Sequence, residues 1–452
     1  MSDISAIVLA AGLGTRMKSD LPKVLHRAGG RSLLAHALGA LKPLSPARTV
    51  VVTGPGMEKV GEEARAAIPE ARLAIQTERK GTAHAVLAAR GAAKGASGIT
   101  LILYGDVPLI RTETLAEMVE AGRQGGLAVL GFEAANPKGY GRLLQDASGR
   151  LTGIREELDA SPEERAIRLC NSGILASSSE LLWRLLPRVG ADNAKGEYYL
   201  TDLIGLAVGE GVAPRLVTCP EDDVRGVNSR AELAEIERLL QARYRMAALA
   251  GGATLIAPET VFLSADTKIG RDVVIEPNVI IGAGVEIADG ATIRAFSHLE
   301  GARVAAGAIV GPFARLRPGA RLEENVHVGN FVEVKNAVLE RGAKANHLTY
   351  LGDARVGAGA NVGAGTITCN YDGFDKHHTD IGAGAFIGSN SALVAPVKIG
   401  DGAYIGSGSV IGRDVPADAL AVGRGQQEIK EGWAARLRAA RQQRRKAAGK
   451  GK

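Results

Sequence analysis

From residue 252 to about residue 415 the aliphatic positions of this chain recur every six residues. Ile269, Ile275, Ile281, Ile287, Ile293 and Leu299 share one register. After a slip of one the beat runs through Val304, Val310, Leu316, Leu322, Val328 and Val334, and it resumes at Val356 and Val362. It then passes through Ile381, Ile387, Leu393, Ile399, Ile405 and Ile411. An amphipathic helix repeats near 3.6 and a half-buried strand repeats at 2, so a period of six fits neither. It fits a short strand and a tight turn used over and over, with one aliphatic side chain pointing inward on each flat side of a three-sided prism. Three sides make a coil of about 18 residues, and coils stacked at strand spacing, roughly 4.8 Å, give about nine coils. Gly often follows the inward residue, as in Ile269-Gly270, Ile281-Gly282 and Ile405-Gly406, which suits turns where a side chain would clash.

The N-terminal half keeps a different pattern. Residues 4–9, Val50–Val52, Leu73–Ile75 and Thr100–Leu103 are short apolar runs. They alternate with helix-like stretches, among them an Ala-rich one opened by Gly81-Thr82. Alternation of this kind predicts an α/β domain. The stretch from 229 to 249 reads as one long helix capped by Ser229, linking the two halves. A second helix is expected over 431–445, with disorder in the last few residues.

At 452 residues the chain calls for two or more domains. Aromatics at 4% are too scarce for nucleic-acid stacking platforms. No apolar run reaches the length of a membrane span, and no signal-peptide pattern is present at the N-terminus. Cys170, Cys219 and Cys369 are scattered and odd in number, which fits free thiols in a reducing cytoplasm. The net charge of +6 is misleading: the stretch from Trp433 to Lys452 carries eight cations and no acid, which leaves the remainder at −2. A solvated basic tail, with no nucleic-acid or membrane partner, is the reading adopted.

Candidate chemistry sits in two zones. The first apolar run ends in Leu9-Ala10-Ala11-Gly12-Leu13-Gly14-Thr15-Arg16-Met17, a strand entering a Gly-rich loop whose N–H groups can approach phosphates. Met17 stands where the dinucleotide fingerprint wants a third Gly, and no Gly-Lys-Ser/Thr follows as in a Walker loop. Lys23 adds a cation, and Tyr104-Gly105-Asp106 ends an apolar strand with a carboxylate suited to Mg²⁺. The second zone spans 315–371 of the repeats, with Arg317, Lys335, His347, Tyr350 and Asn361. An insertion at about 366–380 breaks the beat there and carries Cys369-Asn370-Tyr371-Asp372-Gly373. A histidine can take up a proton near neutral pH, and cations such as Arg317 and Lys335 can hold an anion. Among the histidines, His347, His377 and His378 all lie near this zone, with Glu333 as a candidate partner for the base.

The Leu9–Met17 loop resembles that of the sugar-1-phosphate nucleotidylyltransferases. So do Leu21-Pro22-Lys23, Gln76, Gly81-Thr82, Tyr104-Gly105-Asp106, Gly139-Tyr140-Gly141-Arg142, Glu156, Asn171-Ser172-Gly173, the run Gly196–Asp202 and Gly226-Val227-Asn228. Joined to hexapeptide repeats, nearly the whole chain is similar to the bifunctional bacterial N-acetylglucosamine-1-phosphate uridyltransferase/glucosamine-1-phosphate N-acetyltransferase family. The resemblance implies a Rossmann-like α/β nucleotidyltransferase domain over 1–228 and a linker helix over 229–249. Over 250–452 it implies a left-handed parallel β-helix acetyltransferase domain with the basic tail. Left-handed coils are an exception to the usual crossover hand.

The same resemblance implies the site residues. Leu9, Ala10, Ala11, Gly12, Lys23, Gln76, Gly81 and Thr82 would hold UTP, with Arg16, Tyr104 and Gly105 in the same site. Gly141, Glu156 and Asn171 would hold the amino sugar, and Asp106 with Asn228 would bind Mg²⁺. On the repeats, His347 would be the proton acceptor, and Arg317, Lys335, Tyr350 and Asn361 would hold glucosamine 1-phosphate. Ala364, Asn370, Tyr371, Ser389, Ser407 and Arg424 would hold acetyl-CoA. A homotrimer is expected, because a single prism offers no cleft for a ligand of that size. Its sites would draw on more than one chain, with His347 and Arg424 as a candidate split pair. Two rival readings are a nucleotidylyltransferase with a purely structural β-helix and a regulatory subunit. The first should lack the Arg317, Lys335, His347 and Asn361 set, and the second should have lost Lys23 or Asp106; all six are present.

Overall fold

A computed structural model describes residues 3–448 of the chain, with side chains up to Arg444. The expected disorder of the last few residues concerns 449–452, which lie outside the described residues. The chain divides into two compact units. One runs to Ala250 and takes in Phe262–Thr267; the other is made of Gly251–Val261 and the chain from Lys268 onward.

The first unit is built on a twisted, mostly parallel sheet in the order Arg215–Thr218, Leu127–Glu133, Leu169–Ser178, Ile99–Tyr104, Ile4–Leu9, Arg48–Thr53, Arg72–Ile75. Leu169–Ser178 is the antiparallel member, pairing with both neighbours in that sense. The central strand Ile4–Leu9 is buried along its whole length, as a strand covered on both faces must be. Its side chains alternate between two cores: Ala6 and Val8 enter one, Ile7 and Leu9 the other. The helix Leu33–Leu41 seals the first core through Leu34, Leu38 and Leu41, spaced along one helical face. Its start is fixed by the Ser32 hydroxyl, which accepts from the Ala35 N–H at 3.0 Å. The helix Thr82–Ala88 covers the other core with Ala83, Ala85 and Val86.

The long helix forms over Arg230–Ala250, and Ser229 caps it by accepting from the Glu232 N–H at 3.2 Å. It is more than a tether. Ile236 and Leu240 are buried with Met17, Leu33, Leu109 and Val227 in a third core of the first unit. Gln241 then holds the returning segment from both sides: its Nε2 donates to the Leu263 carbonyl at 2.7 Å and its Oε1 accepts from the Leu263 N–H at 2.9 Å.

The second unit is the prism that the six-residue beat predicts, a left-handed β-helix of two-residue strands and turns. The first face is a sheet that counts ten strands among the described residues, from Thr254–Leu255 to Leu420–Ala421. The second face contains Arg315–Leu316, Glu333–Val334 and Tyr350–Leu351 stacked in register. The third contains Arg303–Val304, Arg321–Leu322 and Val338–Leu339. The second residue of each strand points inward, and Ile275, Ile281, Ile287 and Ile293 are all buried. Each such side chain contributes roughly 1.5–3 kcal/mol on leaving water, so the inward register alone dictates how the coils wind.

One edge of the prism, between the first and second faces, is turned by non-glycine residues in left-handed backbone. Phe296, Phe313, Phe331 and Leu348 take it in successive coils. Their rings stack outward, Phe296 on Phe313 at 4.8 Å and Phe313 on Phe331 at 5.3 Å, and all four side chains are exposed. Phe386 stacks on Tyr404 at 4.5 Å on the first face. The expected C-terminal helix spans Trp433–Ala448.

Candidate active sites

In the first unit the strands Ile4–Leu9, Arg48–Thr53, Arg72–Ile75 and Ile99–Tyr104 run parallel and finish side by side, in register at Leu9, Val52 and Tyr104 and at Thr53 and Ile75. Ligands of open α/β sheets bind outside such carboxyl ends. A cavity of about 400 Å³ opens there. Leu9, Ala10, Ala11, Gly12, Lys23, Gln76, Gly81, Thr82, Tyr104, Asp106 and Asn228 all line it. Gly81 has φ +111°, and a Cβ on it would lie 2.5 Å from the Tyr198 carbonyl oxygen. Only glycine lets the segment around Tyr198 close against the start of the helix, where Ala83 N–H donates to that same carbonyl at 2.9 Å. The Thr82 hydroxyl accepts from Leu200 N–H at 3.0 Å. The sequence run Gly196–Asp202 therefore packs against the turn that opens the helix Thr82–Ala88.

Charge is gathered at one end of the cavity. The Lys23 ammonium is paired with the Asp106 carboxylate and donates to Asn228 Oδ1 at 3.0 Å. Asn228 is fixed from behind, because its own N–H donates to the Glu232 carboxylate at 2.6 Å in the first turn of the long helix. Two hard oxygen donors thus converge on a point already chosen by a cation, which is the donor set a divalent ion such as Mg²⁺ takes up together with water and substrate phosphate. Among the described residues no group of three or more His, Cys, Asp or Glu forms a fully protein-made metal cage.

Gly141, Glu156 and Asn171 form a neighbouring cluster. The Asn171 N–H donates to the Gly141 carbonyl at 2.8 Å, and Glu156 Oε1 accepts from the Thr201 hydroxyl at 3.1 Å. Burial raises the Glu156 carboxyl above its ordinary pKa. Tyr104 connects this cluster to the cavity: its phenol is bonded to Thr82, and burial, then the Glu156 and Asp106 carboxylates, push its pKa up. Arg142 braces the cluster from within, since its buried guanidinium pairs with Glu157 at 2.7 Å and donates to the Arg165 carbonyl at 3.2 Å. Arg16 is exposed on the turn Thr15–Met17 and is not among the cavity lining, nor is Gly105, whose N–H donates to the Leu9 carbonyl at 2.9 Å. Arg79 and Glu197 do line the cavity; Glu197 belongs to the run Gly196–Asp202, whereas no motif in the sequence singles out Arg79.

On the prism, the edge between the first and second faces collects a column. Gly365 N–H donates to the His347 carbonyl at 3.2 Å, Asn390 N–H to Ala364 at 2.7 Å and Gly408 N–H to Ser389 at 2.8 Å. Arg424 Nη1 donates to the Ser407 carbonyl at 2.6 Å. His347, Ala364, Ser389, Ser407 and Arg424 therefore stand along one edge in successive coils. His347 and Arg424, the pair expected to come from different chains, share an edge of one chain. The prism returns to the same edge every coil, so sequence distance says nothing about which chain a residue serves.

His347 is exposed at this edge, and its Nδ1 meets Asn330 Oδ1 at 2.7 Å. An amide oxygen can only accept, which puts the ring proton on Nδ1 and leaves the Nε2 lone pair free. Asn330 and His347 are register partners in adjacent coils. Glu333, the expected partner of the base, is engaged elsewhere: it lies opposite Arg315 and Tyr350 on the second face and binds Arg317 at 2.8 Å. Lys335 shares that face, in register with Gly352. Lys376, reaching from the insertion, crowds Lys335 and lowers its pKa, and desolvation adds to the effect. The two ammonium groups, with the Asp353 carboxylate nearby, gather charge on this face, and Lys376 is a member that the six-residue pattern could not reveal. Asn361 lies on the first face, paired with Lys344 and Phe386. Asn370 and Tyr371 open the insertion at the far end of the second face. There Asn370 bonds Asp353, Tyr371 bridges to Lys376, and His377 is held by Asp372 at 2.8 Å.

Two family models match this chain: the MobA-like NTP transferase domain over residues 6–169, and the bacterial transferase hexapeptide (six repeats) over 266–301 and 378–413. The bifunctional protein GlmU of Azorhizobium caulinodans is 58% identical over 436 residues, covering 96% of this chain and 97% of that one. Its namesake from Xanthobacter autotrophicus is 57% identical, covering 98% of this chain and 99% of that one. The one from Rhodospirillum rubrum is 60% identical, covering 97% and 98%.

Proposed function

The chain belongs to the family of bifunctional GlmU proteins, and from that premise we propose how its residues divide the two reactions. The enzyme transfers acetyl from acetyl-CoA to glucosamine 1-phosphate and then couples the product to UTP, giving UDP-N-acetylglucosamine. The observation that carries the division is that each unit has its own constellation: a cavity at the strand ends of the first, and a histidine-bearing edge beside a cationic face on the second.

In the first unit a phosphate oxygen of N-acetylglucosamine 1-phosphate attacks the α-phosphorus of UTP and pyrophosphate leaves. No protein nucleophile is needed; positioning and charge do the work. Lys23 and Arg16 offset phosphate charge, and the N–H groups of the Leu9–Gly12 loop approach the nucleotide. Gln76, Gly81 and Thr82 hold it, with Tyr104 and Gly105 behind them. Gly141, Glu156 and Asn171 hold the sugar. Mg²⁺ bound by Asp106 and Asn228 would supply further neutralisation of phosphate charge.

On the prism, Arg317, Lys335 and Lys376 receive the sugar phosphate, with Tyr350 and Asn361. His347 Nε2 takes the proton as the amine attacks the thioester carbonyl, while Asn330 holds the ring. The CoA thiol leaves along the edge marked by Ala364, Ser389, Ser407 and Arg424, with Asn370 and Tyr371 from the insertion. A cytoplasmic setting is proposed on its free cysteines. No helix among the described residues is long and apolar enough to cross a membrane.

The working assembly is proposed to be a trimer. Lys335 and Tyr350 look out from the second face and Asn361 from the first, so one prism cannot aim all three at one ligand. Three prisms packed about a threefold axis would set the first face of one against the second face of the next. The exposed aromatic stacks on the first face and its edge fit such contact. Mixing Lys335→Ala chains with Asn361→Ala chains, each nearly inactive alone, should restore about a quarter of wild-type acetyl transfer, because each mixed trimer regains one intact site. Mixed trimers that stay inactive would show that both residues serve a site within one chain.

A further inference from the structure

The geometry points to Arg79 as a base-reading residue that, together with Gln76, selects uridine over cytidine nucleotides. The inference rests on the reading that this cavity takes the nucleotide, and extends it to how one pyrimidine is told from the other. The cavity runs across the sheet. Asp106 follows the strand Ile99–Tyr104, whereas Gln76 and Arg79 follow the strand Arg72–Ile75, with two strands between. Three strand spacings make about 14 Å, enough to part a triphosphate from its base. Lys23, Asp106 and Asn228 occupy the charged end, which leaves the Gln76 and Arg79 end for the base.

What these two side chains can offer is set by bonds they already make. Gln76 is buried, and its Nε2 donates to the Gly81 carbonyl at 3.1 Å and lies 3.4 Å from His84 Nδ1. With both amide hydrogens engaged inside the protein, Gln76 presents Oε1, an acceptor. Arg79 is anchored by Nε, which donates to the Ala11 carbonyl at 3.0 Å. That is its one hydrogen bond among the described residues, and no carboxylate pairs with it there. Its remaining N–H groups are therefore donors without a protein partner, on a residue that lines the cavity. Gly54 keeps room for them, since a Cβ at that position would come within 2.6 Å of Nη2.

A fixed acceptor beside fixed donors is complementary to uracil, which presents an N3–H donor flanked by carbonyl acceptors. Cytosine presents the reverse: an N3 acceptor facing Gln76 Oε1 and an exocyclic amine facing a guanidinium. Donor–acceptor mismatch of this kind leaves polar groups unpaired and discriminates strongly.

The test is Arg79→Met in the full chain, with kcat/KM measured for UTP and for CTP against N-acetylglucosamine 1-phosphate. UTP should lose roughly 10–100-fold, the worth of hydrogen bonds to a charged donor. CTP should change little, so the UTP/CTP preference falls by at least about tenfold. Arg79→Lys should recover part of the loss, and the KM for the sugar phosphate should hold. If Arg79→Met does not fold, Arg79→Gln carries the same readout. Equal losses for UTP and CTP, or an unchanged preference, would overturn the proposal. A wild-type enzyme that makes no nucleotide sugar from UTP would instead bring down the uridylyl-transfer reading itself, whatever Arg79 does.

Discussion

Replacing His347 with alanine is expected to slow acetyl transfer by roughly 10²–10⁴-fold, the usual worth of a general base. Uridylyl transfer from ready-made N-acetylglucosamine 1-phosphate should continue unchanged. The expectation follows from the bond between His347 Nδ1 and Asn330 Oδ1 at 2.7 Å, which leaves Nε2 as the lone pair that can meet an ammonium proton. Affinity for acetyl-CoA should survive, because the residues proposed to hold it, Ala364, Ser389, Ser407 and Arg424, are left in place. Asn330→Ala should cost less, since the ring then keeps its base but loses its fixed tautomer. The measurement is the steady-state rate of thiol release from acetyl-CoA. An His347→Ala enzyme within a few-fold of wild type would move the proton to His377, His378 or water.

Asp106→Ala should produce the mirror image, a loss of uridylyl transfer of about 10²-fold or more with acetyl transfer intact. Asp106 is the carboxylate that pairs with Lys23, and its side chain is 16% exposed. Its removal takes one of two converging oxygen donors and leaves the partly buried Lys23 ammonium held, among the described residues, by Asn228 alone. Asp106→Asn keeps the shape and a carbonyl oxygen for Lys23 but removes the charge, so it should fold normally and still be slow. Pyrophosphate release with UTP and N-acetylglucosamine 1-phosphate gives the rate. Parallel loss of both activities in both variants would mean that Asp106 supports folding rather than chemistry.

The two units differ in how much of them the sequence exposes. The prism was legible because its winding depends on a single inward position per side, and that position must be aliphatic: Ile275, Ile281 and Ile287 announce themselves. The cavity of the first unit was legible where a residue type is irreplaceable, as with Gly81, whose backbone and neighbours exclude any side chain. What stayed hidden are relations between coils. Glu333 reads as a neighbour of the base, yet the stacking register puts it under Arg317, and Asn330 takes its place beside His347. Lys376 reaches Lys335 only because the insertion folds back on itself through the Tyr371–Lys376 bridge. Arg79 stayed hidden for another reason: a lone arginine in a loop is ordinary until its bond to Ala11 shows which way it faces. The long helix, expected over 229–249 as a link, forms over Arg230–Ala250, and its buried Ile236 and Leu240 make it part of the first unit's core, a matter of tertiary packing that periodicity does not settle.

The central claim is that one chain performs two transfers in a fixed chemical order, acetyl before uridylyl. It is tested most directly by incubating the pure enzyme with Mg²⁺, glucosamine 1-phosphate, acetyl-CoA and UTP, omitting one substrate at a time, and identifying products by mass. The complete mixture should yield UDP-N-acetylglucosamine, CoA and pyrophosphate. Without UTP, N-acetylglucosamine 1-phosphate should accumulate; without acetyl-CoA, almost no nucleotide sugar should form. Abundant UDP-glucosamine in the absence of acetyl-CoA, or no acetylated sugar phosphate in the absence of UTP, would contradict the account.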